Sequence, residues 1–248
     1  MNLDFQSFKN NGFIEIRNVI DDRLIKKVAD RSKKVFSGKF STKIKPDKIW
    51  WKKGDSKNIP RLISNAWRAD DEIASLVLSK KISKIAALLM GWKSVKVNED
   101  SLIWVPPKCL GLRFHKDNPY HRWHYPGKII TAWIPLSKIY SNASPLQYLI
   151  GSHKNKKIYE YKKALKKYKK FNSTPRKGSV VFHHGDLWHG TNFNKSNKQR
   201  LSLTVHFMDG KSKFHKSIKD PYFNRYKLKN SRIMLDDFFP KTWTSKEK

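Results

Sequence analysis

The stretch Arg-Phe-His-Lys-Asp at residues 113–117 determines what we expect of the fold and of the site. Successive side chains of an extended strand point to opposite faces, so His115 and Asp117 would lie on the same side. An imidazole and a carboxylate on one side of a strand can share a metal ion. A His-x-Asp triplet is a weak signal by itself, so its meaning depends on the residues further along the chain.

A second histidine follows in the segment Leu-Trp-His-Gly-Thr at residues 187–191, where Gly190 would let the backbone turn directly after His189. With His115 and Asp117, this histidine completes a set of two imidazoles and one carboxylate. Such a set holds non-heme Fe(II) on one face and leaves the other coordination positions open. The order of these residues therefore predicts an iron site.

Arg200 lies eleven residues after His189. A guanidinium group can bind a carboxylate through two parallel hydrogen bonds, so Arg200 is a candidate clamp for an organic acid. The polar segment 194–198 between them is typical of a turn. We expect this turn to form a hairpin in which Arg200 falls beside Thr191.

Short apolar runs separated by turn residues fill the chain after residue 92 and predict a mainly β fold. These runs lie at 95–105, 110–115, 129–136, 146–150, 180–184 and 201–208. Their spacing favours a barrel or jelly roll over alternating β-α units. An earlier strand is expected within 12–19, followed by a helix that Asp21 or Asp22 caps and a helix from about 70 to 90 that Gly91 ends.

The length suits one domain with a sizeable core. We expect a single domain over residues 1–248, with a helical N-terminal part at 1–92, a jelly-roll core at about 93–210 and a polar C-terminal extension at 211–248. The sequence has no run of about 18 apolar residues, so we expect no membrane-spanning helix. The N-terminus lacks the pattern of a signal peptide. Cys109 is the single cysteine and suits a reducing compartment, so we expect a cytoplasmic protein.

The formal net charge of +33 raises the question of a nucleic-acid partner. The lysines are spread along the whole chain, and the densest run, at 154–170, is spaced like the wet face of a helix. We interpret most of this charge as solvated surface, which leaves an anionic substrate, an acidic surface and nonspecific nucleic-acid attraction as further interpretations. No RNA-binding or zinc-finger motif supports a specific nucleic-acid partner.

The chain resembles the phytanoyl-CoA dioxygenase family of Fe(II)/2-oxoglutarate oxygenases over most of its length. The segments that carry the resemblance are 12–16, 115–117, 131–136, 145–153 and 178–200. Two features depart from the family pattern. Ile150 stands where the family usually has proline before Gly-Ser-His, and the lysine-rich stretch after His153 is longer. Neither departure touches the candidate iron ligands.

The resemblance implies a double-stranded β-helix of the cupin type with flanking N-terminal helices. It also implies three iron ligands, His115, Asp117 and His189. Arg200 would pair with the distal carboxylate of 2-oxoglutarate, and Thr191 would add a hydroxyl to the same group. Trp133 matches a family position that lines the cosubstrate pocket, and Ser202 follows Arg200 in an Arg-x-Ser pattern found in other oxygenases of this type.

The implied activity is that of a 2-oxoglutarate-dependent dioxygenase, which uses Fe(II), 2-oxoglutarate and dioxygen. Such an enzyme decarboxylates 2-oxoglutarate to succinate while it hydroxylates a C–H bond, here of an unidentified small molecule. Related halogenases have a small residue in place of the carboxylate ligand, which makes room for chloride. Asp117 therefore indicates a hydroxylase or a desaturase.

Three further residues are candidates for substrate contact. His121 and His124 belong to a loop that directly follows the iron ligands, and Arg61 could bind an anionic substrate. Each has an ordinary alternative, because loop aromatics are common on surfaces and arginines commonly form salt bridges. His183 and His184 precede the second ligand histidine, where a structural or supporting role is favoured.

Two other functions remain open from the sequence. One is a catalytically silent jelly-roll module that binds a ligand, although the intact triad and Arg200 weigh against it. The other is a nucleic-acid-directed oxygenase, which the charge suggests but which lacks the arginine-rich signature expected after the distal histidine. We expect a small-molecule substrate, with a modest preference for an anionic one, no membrane partner, no specific nucleic acid, and a monomer or homodimer.

Overall fold

The computed structural model describes residues 3–51, 54–155 and 157–245. Within them the helices are α1 (Phe5–Asn11), α2 (Asp22–Phe36), α3 (Asp71–Val77), α4 (Lys80–Met90) and α5 (Tyr161–Lys167). The strands of the first half are β1 (Phe13–Ile16), β2 (Lys48–Ile49), β3 (Arg61–Ser64), β4 (Ser94–Val105) and β5 (His124–Tyr125). The remaining strands are β6 (Ile129–Pro135), β7 (Leu146–Leu149), β8 (Lys170–Ser173), β9 (Val180–His184), β10 (His189–Thr191), β11 (Arg200–Asp209), β12 (Lys213–Phe214) and β13 (Lys241–Thr244).

Most of these strands belong to one large antiparallel sheet in the order β1-β9-β6-β11-β4-β3-β2, with β13 paired to β4. A smaller sheet has the order β10-β7-β8. The two sheets meet in an apolar cluster, to which the large sheet contributes Trp133 and Val181 and the small sheet contributes Leu146 and Tyr148. The predicted mainly β, jelly-roll architecture is confirmed.

Strand β11 separates the apolar core from a polar interior face. Its side chains at 201, 203, 205 and 207 are apolar and share one buried cluster with residues of α3 and α4. The alternate residues point to the opposite face because strand side chains have period two. These are Arg200, Ser202, Thr204 and His206. The pleat of a single strand therefore carries polar groups into the interior of the jelly roll.

The first predicted helix is confirmed and the second is wrong in its extent. Asp21 caps α2, since its carboxylate accepts a hydrogen bond from the backbone N–H of Arg23 at 2.7 Å. The expected helix from 70 to 90 is two helices, α3 and α4, that meet at Leu78 and Ser79. The Ser79 hydroxyl accepts from the backbone N–H of Ile82, so it starts a new helix instead of continuing the old one.

The expected strand at 110–115 is reduced to one isolated bridge between His115 and His189. Asp117 is not on a strand at all, because its backbone has helical angles (φ −77°, ψ −44°) and it caps a short 3-10 helix, Asn118–His121. Pro119 in the first turn of that helix favours this conformation. His115 and Asp117 converge, but by a bend of the chain and not by strand alternation.

The expected hairpin between 189–191 and 199–202 is also wrong. Strand β10 pairs with β7 in the small sheet, whereas β11 pairs with β4 on one side and with β6 on the other. Both edges of β11 are therefore occupied, and none is left for β10. Gly190 lies within β10 instead of at a turn, and a Cβ there would meet Phe114 at 2.8 Å.

The C-terminal segment packs against the large sheet through β13 and an aromatic cluster. In this cluster Trp123 stacks on Phe223 with ring centroids 4.5 Å apart, and Phe214 and Phe239 pack beside them. The last three residues of the predicted polar extension lie outside the described residues.

None of the helices in the described part of the chain has the length and apolar character needed to cross a membrane.

The break between α3 and α4 can be tested by replacing its capping serine. We expect Ser79→Ala to lower the free energy of unfolding by about 0.5–2 kcal/mol, because α4 loses its N-cap. The matched control is Ser75→Ala, an exposed position inside α3, where alanine is the better helix former and the change should be neutral or stabilising. Urea unfolding followed by circular dichroism measures both. A continuous helix would make the two substitutions behave alike.

Candidate metal centre

Two reciprocal backbone hydrogen bonds place the two candidate histidine ligands side by side. The N–H of His115 donates to the carbonyl of His189 at 2.8 Å, and the N–H of His189 donates to the carbonyl of His115 at 2.9 Å. Asp117 reaches them from the following bend. Its Oδ1 lies 3.3 Å from the Nε2 of His115 and 3.3 Å from the Nε2 of His189. The three residues predicted as iron ligands are thus brought together.

The outer nitrogen of each histidine fixes its tautomer. The Nδ1 of His115 lies 2.8 Å from the carbonyl of Arg113, and the Nδ1 of His189 lies 2.9 Å from the carbonyl of Leu187. A carbonyl only accepts, so each Nδ1 carries the proton and donates it. The Nε2 lone pairs then face inward, which is the arrangement that a metal-binding imidazole requires.

The second oxygen of Asp117 is held by the large sheet. Oδ2 accepts a hydrogen bond from the hydroxyl of Thr131 at 2.7 Å and lies 3.2 Å from the Nε2 of His183. The Nδ1 of His183 is in turn 3.2 Å from the hydroxyl of Tyr148. These contacts fix the orientation of the carboxylate, so that Oδ1 is the oxygen that points at the two ligand histidines.

Fe(II) fits this donor set. Two imidazole lone pairs and a carboxylate oxygen, all acceptors, face one another within 4.8 Å. A cation between these donors satisfies all three at once. Burial by itself would raise the pKa of Asp117, but the neighbouring imidazoles, His189 foremost, lower it well below its usual value. The carboxylate is therefore ionised as a ligand must be.

Arg200 offers a buried positive charge to an anion. Its side chain is 1% exposed, and its Nε and Nη2 have no hydrogen-bond partner among the described residues. Its guanidinium carbon lies 5.9 Å from the ring of Trp133. Burial lowers the pKa of Arg200 to about 10, because the charged form is poorly solvated there. An unpaired buried guanidinium is costly, so the geometry fits a carboxylate ligand.

The candidate ligands and Arg200 line one cavity of about 480 Å³, a size typical of small-molecule sites. Its other polar lining residues are Glu99, Ser101, Arg113, Tyr120, His121, Thr131, His183, Thr204 and His206. Its apolar lining residues are Leu62, Ile103, Leu112, Phe114, Trp133 and Leu146. The three candidate iron ligands and Arg200 therefore share one space with an apolar wall.

Two of the predicted cosubstrate residues, Thr191 and Ser202, lie near this cavity but are not among its lining residues. The Thr191 hydroxyl accepts a hydrogen bond from the backbone N–H of Leu112 at 2.7 Å. Ser202 is fully buried, and its hydroxyl has no partner among the described residues. Trp133 lines the cavity as expected.

The structure places the three candidate substrate residues at different positions. His121 is buried and lines the cavity. His124 lies on β5 and borders a second cavity on the outer side of the 3-10 helix. Arg61 lies on β3 between the rings of Trp51 and Trp104, with its guanidinium carbon 3.9 and 4.5 Å from their centroids. The structure thus brings only His121 of the three to the candidate iron site.

Several residues of the site were not predicted from the sequence. Thr131 and Tyr148 support Asp117, and Glu99 and His206 line the cavity. Strand alternation could have found two of them, because Thr131 lies two residues before Trp133 and His206 six residues after Arg200. Glu99 and Tyr148 carry no such signal, since their positions depend on pairing with distant strands.

A jelly roll that presents two histidines and an aspartate beside a buried arginine defines the class of non-heme iron oxygenases. The model of the phytanoyl-CoA dioxygenase family (PhyH) matches residues 8–202. The chain belongs to this family.

The chain is also similar to individual proteins. The chain is 22% identical over 258 residues to the phytanoyl-CoA dioxygenase domain-containing protein 1 homolog of Caenorhabditis briggsae, which covers 82% of the chain and 89% of the relative. Among solved structures, the non-heme alpha ketoglutarate dependent epimerase SnoN has a TM-score of 0.78 at 16% identity, with 96% of this chain and 97% of that chain covered. EctD from S. alaskensis, solved with 2-oxoglutarate and 5-hydroxyectoine, has a TM-score of 0.75 at 14% identity, with coverage of 92% and 84%.

The protein is therefore a 2-oxoglutarate-dependent, non-heme iron enzyme, and Fe(II) and 2-oxoglutarate are its cofactor and cosubstrate. The matches lend no support to a silent binding module or to a nucleic-acid-directed oxygenase.

The contact between Thr131 and Asp117 gives a test of the metal centre. We expect Thr131→Val to weaken Fe(II) binding by about tenfold or more, because the carboxylate loses a hydrogen bond that orients it. Anaerobic titration with Fe(II), followed by calorimetry, measures the affinity. Thr242→Val, at a buried position on β13, is the isosteric control and should leave the affinity within about twofold. Equal affinities for the two variants would show that Thr131 does not support the metal ligand.

Proposed function

We propose that this protein hydroxylates a C–H bond of a small molecule and that His115, Asp117 and His189 hold its Fe(II). One observation carries the proposal. The inward lone pairs of both histidines and Oδ1 of Asp117 converge at 3.3 Å on the same cavity into which the unpaired guanidinium of Arg200 points. A metal site and an anion site in one cavity meet the needs of 2-oxoglutarate-dependent oxidation.

When bound, Fe(II) with 2-oxoglutarate and dioxygen supplies the oxidation that turns the cosubstrate into succinate and carbon dioxide and attacks the substrate C–H bond. The residues of the chain position the reactants. Thr131 and His183 hold Asp117 in one orientation, and two backbone carbonyls hold the rings of His115 and His189. This preorganisation keeps the ligand atoms in place without reorganisation during turnover.

Arg200 is the proposed partner of the distal carboxylate of 2-oxoglutarate. A buried guanidinium binds a carboxylate by two parallel hydrogen bonds, and the side chain has two nitrogens free for this purpose. We assign the face of Trp133 to the wall of the cosubstrate pocket, since it lies beside Arg200. We also assign the hydroxyls of Thr191 and Ser202 to the surroundings of the same carboxylate. Ser202 is included because it lies on the inner face of β11.

The apolar side of the cavity serves to exclude water. Leu62, Ile103, Leu112 and Leu146 surround the polar groups and lower the local dielectric constant. Electrostatic contacts are stronger in such a setting, and the oxidant is protected from reactions with solvent. We propose that the whole chain, residues 1–248, forms one domain around this cavity.

Hydroxylation is one of several outcomes that this fold supports. The similar structures include SnoN, an epimerase, and SnoK, a carbocyclase that has a TM-score of 0.77 at 22% identity over 96% of this chain and 94% of that chain. The carboxylate of Asp117 occupies the position that a halogenase would leave open for chloride. We therefore propose hydroxylation, with desaturation as the second outcome of the same hydrogen removal.

The first test of this proposal is spectroscopic. Anaerobic addition of Fe(II) and 2-oxoglutarate should give a visible charge-transfer band, and His115→Ala should abolish it because a ligand nitrogen is lost. His215→Ala, a histidine outside the cavity, should keep the band. A band that survives in His115→Ala, or that never forms in the wild type, contradicts the proposal.

The second test concerns the cosubstrate. We expect Arg200→Ala to raise the KM for 2-oxoglutarate by about 30-fold or more, because the carboxylate is buried without its charge partner. Arg200→Lys should recover part of the loss. Arg122→Ala, at an exposed arginine outside the cavity, is the control. Succinate formation across a metabolite panel measures all four proteins, and an unchanged KM in Arg200→Ala rules out the clamp.

A further inference from the structure

A second cluster of possible ligands lies beside the candidate iron site. Glu99 on β4, His121 on the 3-10 helix and His206 on β11 face one another in the cavity. Oε1 of Glu99 lies 3.5 Å from the Nδ1 of His206 and 3.7 Å from the Nε2 of His121. Glu99 and His206 are direct partners in the register of β4 and β11. Two adjacent strands and a following bend thus build this cluster, which we call the Glu-His-His cluster.

Its position separates it from the proposed cosubstrate pocket. His206 lies six residues after Arg200 on the same face of β11, which corresponds to about 20 Å along a strand. The Nε2 of His206 is 3.9 Å from Oδ2 of Asp117. The cluster therefore borders the iron ligands on the side away from Arg200, where a substrate can approach the metal without displacing 2-oxoglutarate.

Two ring nitrogens of the cluster lack hydrogen-bond partners. His121 is 3% exposed, and neither its Nδ1 nor the Nδ1 of His206 has a hydrogen-bond partner among the described residues. A ring nitrogen without a partner in the protein can accept a hydrogen bond from a bound molecule. Buried polar groups are nearly always paired, so these atoms point to a ligand.

The charges around Glu99 favour the binding of a cation. Burial, followed by the nearby carboxylates of Asp100, Asp220 and Asp117, raises the pKa of Glu99 to about 8. A cation bound beside Glu99 would offset this effect and favour the ionised carboxylate, because an opposite charge stabilises the charged form. No lysine is among the described residues that line the cavity, despite the net charge of +33. Of its two arginines, Arg200 is assigned to 2-oxoglutarate, and Arg113 lies at the exposed rim.

We propose that Glu99, His121 and His206 bind the protonated amino group of the substrate. The inference rests on the proposed function and narrows its substrate class to primary amines. An ammonium group has three N–H donors, and the cluster presents one carboxylate and two imidazoles as acceptors. Because His206 touches Asp117, carbons close to the amino group would lie nearest the iron. This assignment replaces the modest preference for an anionic substrate, which rested on surface charge alone.

The test uses three probes of one shape that differ only in their polar group: cyclohexylmethylamine, cyclohexylmethanol and cyclohexanecarboxylate. Each is titrated by calorimetry into the wild-type enzyme loaded anaerobically with Fe(II) and 2-oxoglutarate. We expect the amine to bind at least about tenfold more tightly than the alcohol, because a charge-assisted hydrogen bond to a buried carboxylate is lost in the alcohol. The carboxylate should bind most weakly.

Two variants localise the preference. Glu99→Gln should remove the difference between amine and alcohol, whereas Glu160→Gln, at an exposed glutamate paired with Lys163, should keep it. The wild-type comparison stands without them if Glu99→Gln does not fold. Equal binding of amine and alcohol, preference for the carboxylate probe, or no measurable amine binding at millimolar concentration would each overturn the proposal.

Two further measurements distinguish an amine site from a second metal site and from a failure of the proposed function. Elemental analysis of the wild type should give one metal per chain, and a second equivalent that Glu99→Gln loses would make the cluster a metal site and overturn the amine assignment. The charge-transfer band tests the proposed function independently. A wild type without the band contradicts the proposed function, whereas a wild type with the band but without amine preference contradicts only the substrate class.

Discussion

The pair of backbone hydrogen bonds between His115 and His189 is the constraint on which the candidate site depends. These bonds join two segments that are 74 positions apart in the chain, and they fix the distance between the two imidazoles before any metal binds. Because each Nδ1 is occupied by a carbonyl, the rings cannot rotate away without losing a hydrogen bond. The bend that follows His115 positions Asp117, and residues of the large sheet hold its Oδ2. The candidate ligands are therefore brought together by the geometry of the backbone.

The pleat of β11 organises the rest of the interior. One strand supplies the apolar residues that pack against α3 and α4 and, in alternation with them, the polar residues that line the cavity. A shift of one position in its pairing would exchange these two sets and bury Arg200 among aliphatic side chains. Its pairing with β4 on one side and β6 on the other excludes such a shift. The stability of the core and the geometry of the site therefore depend on the same register.

Local signals in the sequence were sufficient to predict much of the fold and to select the candidate ligand residues that the structure brings together. The bounds of β4, β6, β9 and β11 were predicted to within a few residues from their apolar runs. The order of His115, Asp117, His189 and Arg200 along the chain indicated that they belong to one site. The wrong predictions concern features that depend on contacts between residues distant in the sequence. Ser79 is compatible with a helix interior or with an N-cap, and only tertiary packing selects the cap. The hairpin failed because a turn residue pattern does not show that both edges of the next strand are already occupied.

The charge of the chain shows why composition is a poor guide to the substrate. Lysines on the surface are solvated, so each contributes little to a ligand in an interior cavity beyond the screening length of about 8–10 Å. Inside the cavity, a ligand contacts the lining groups directly, so single charges there have a larger effect. There the described lining carries Glu99 and Asp117 against two arginines, one of them at the rim. The register that pairs Glu99 with His206 includes a bulge directly after His206, which no sequence pattern reveals. The group that a substrate would meet beside the candidate iron ligands is thus set by strand pairing and not by the charge of the surrounding surface.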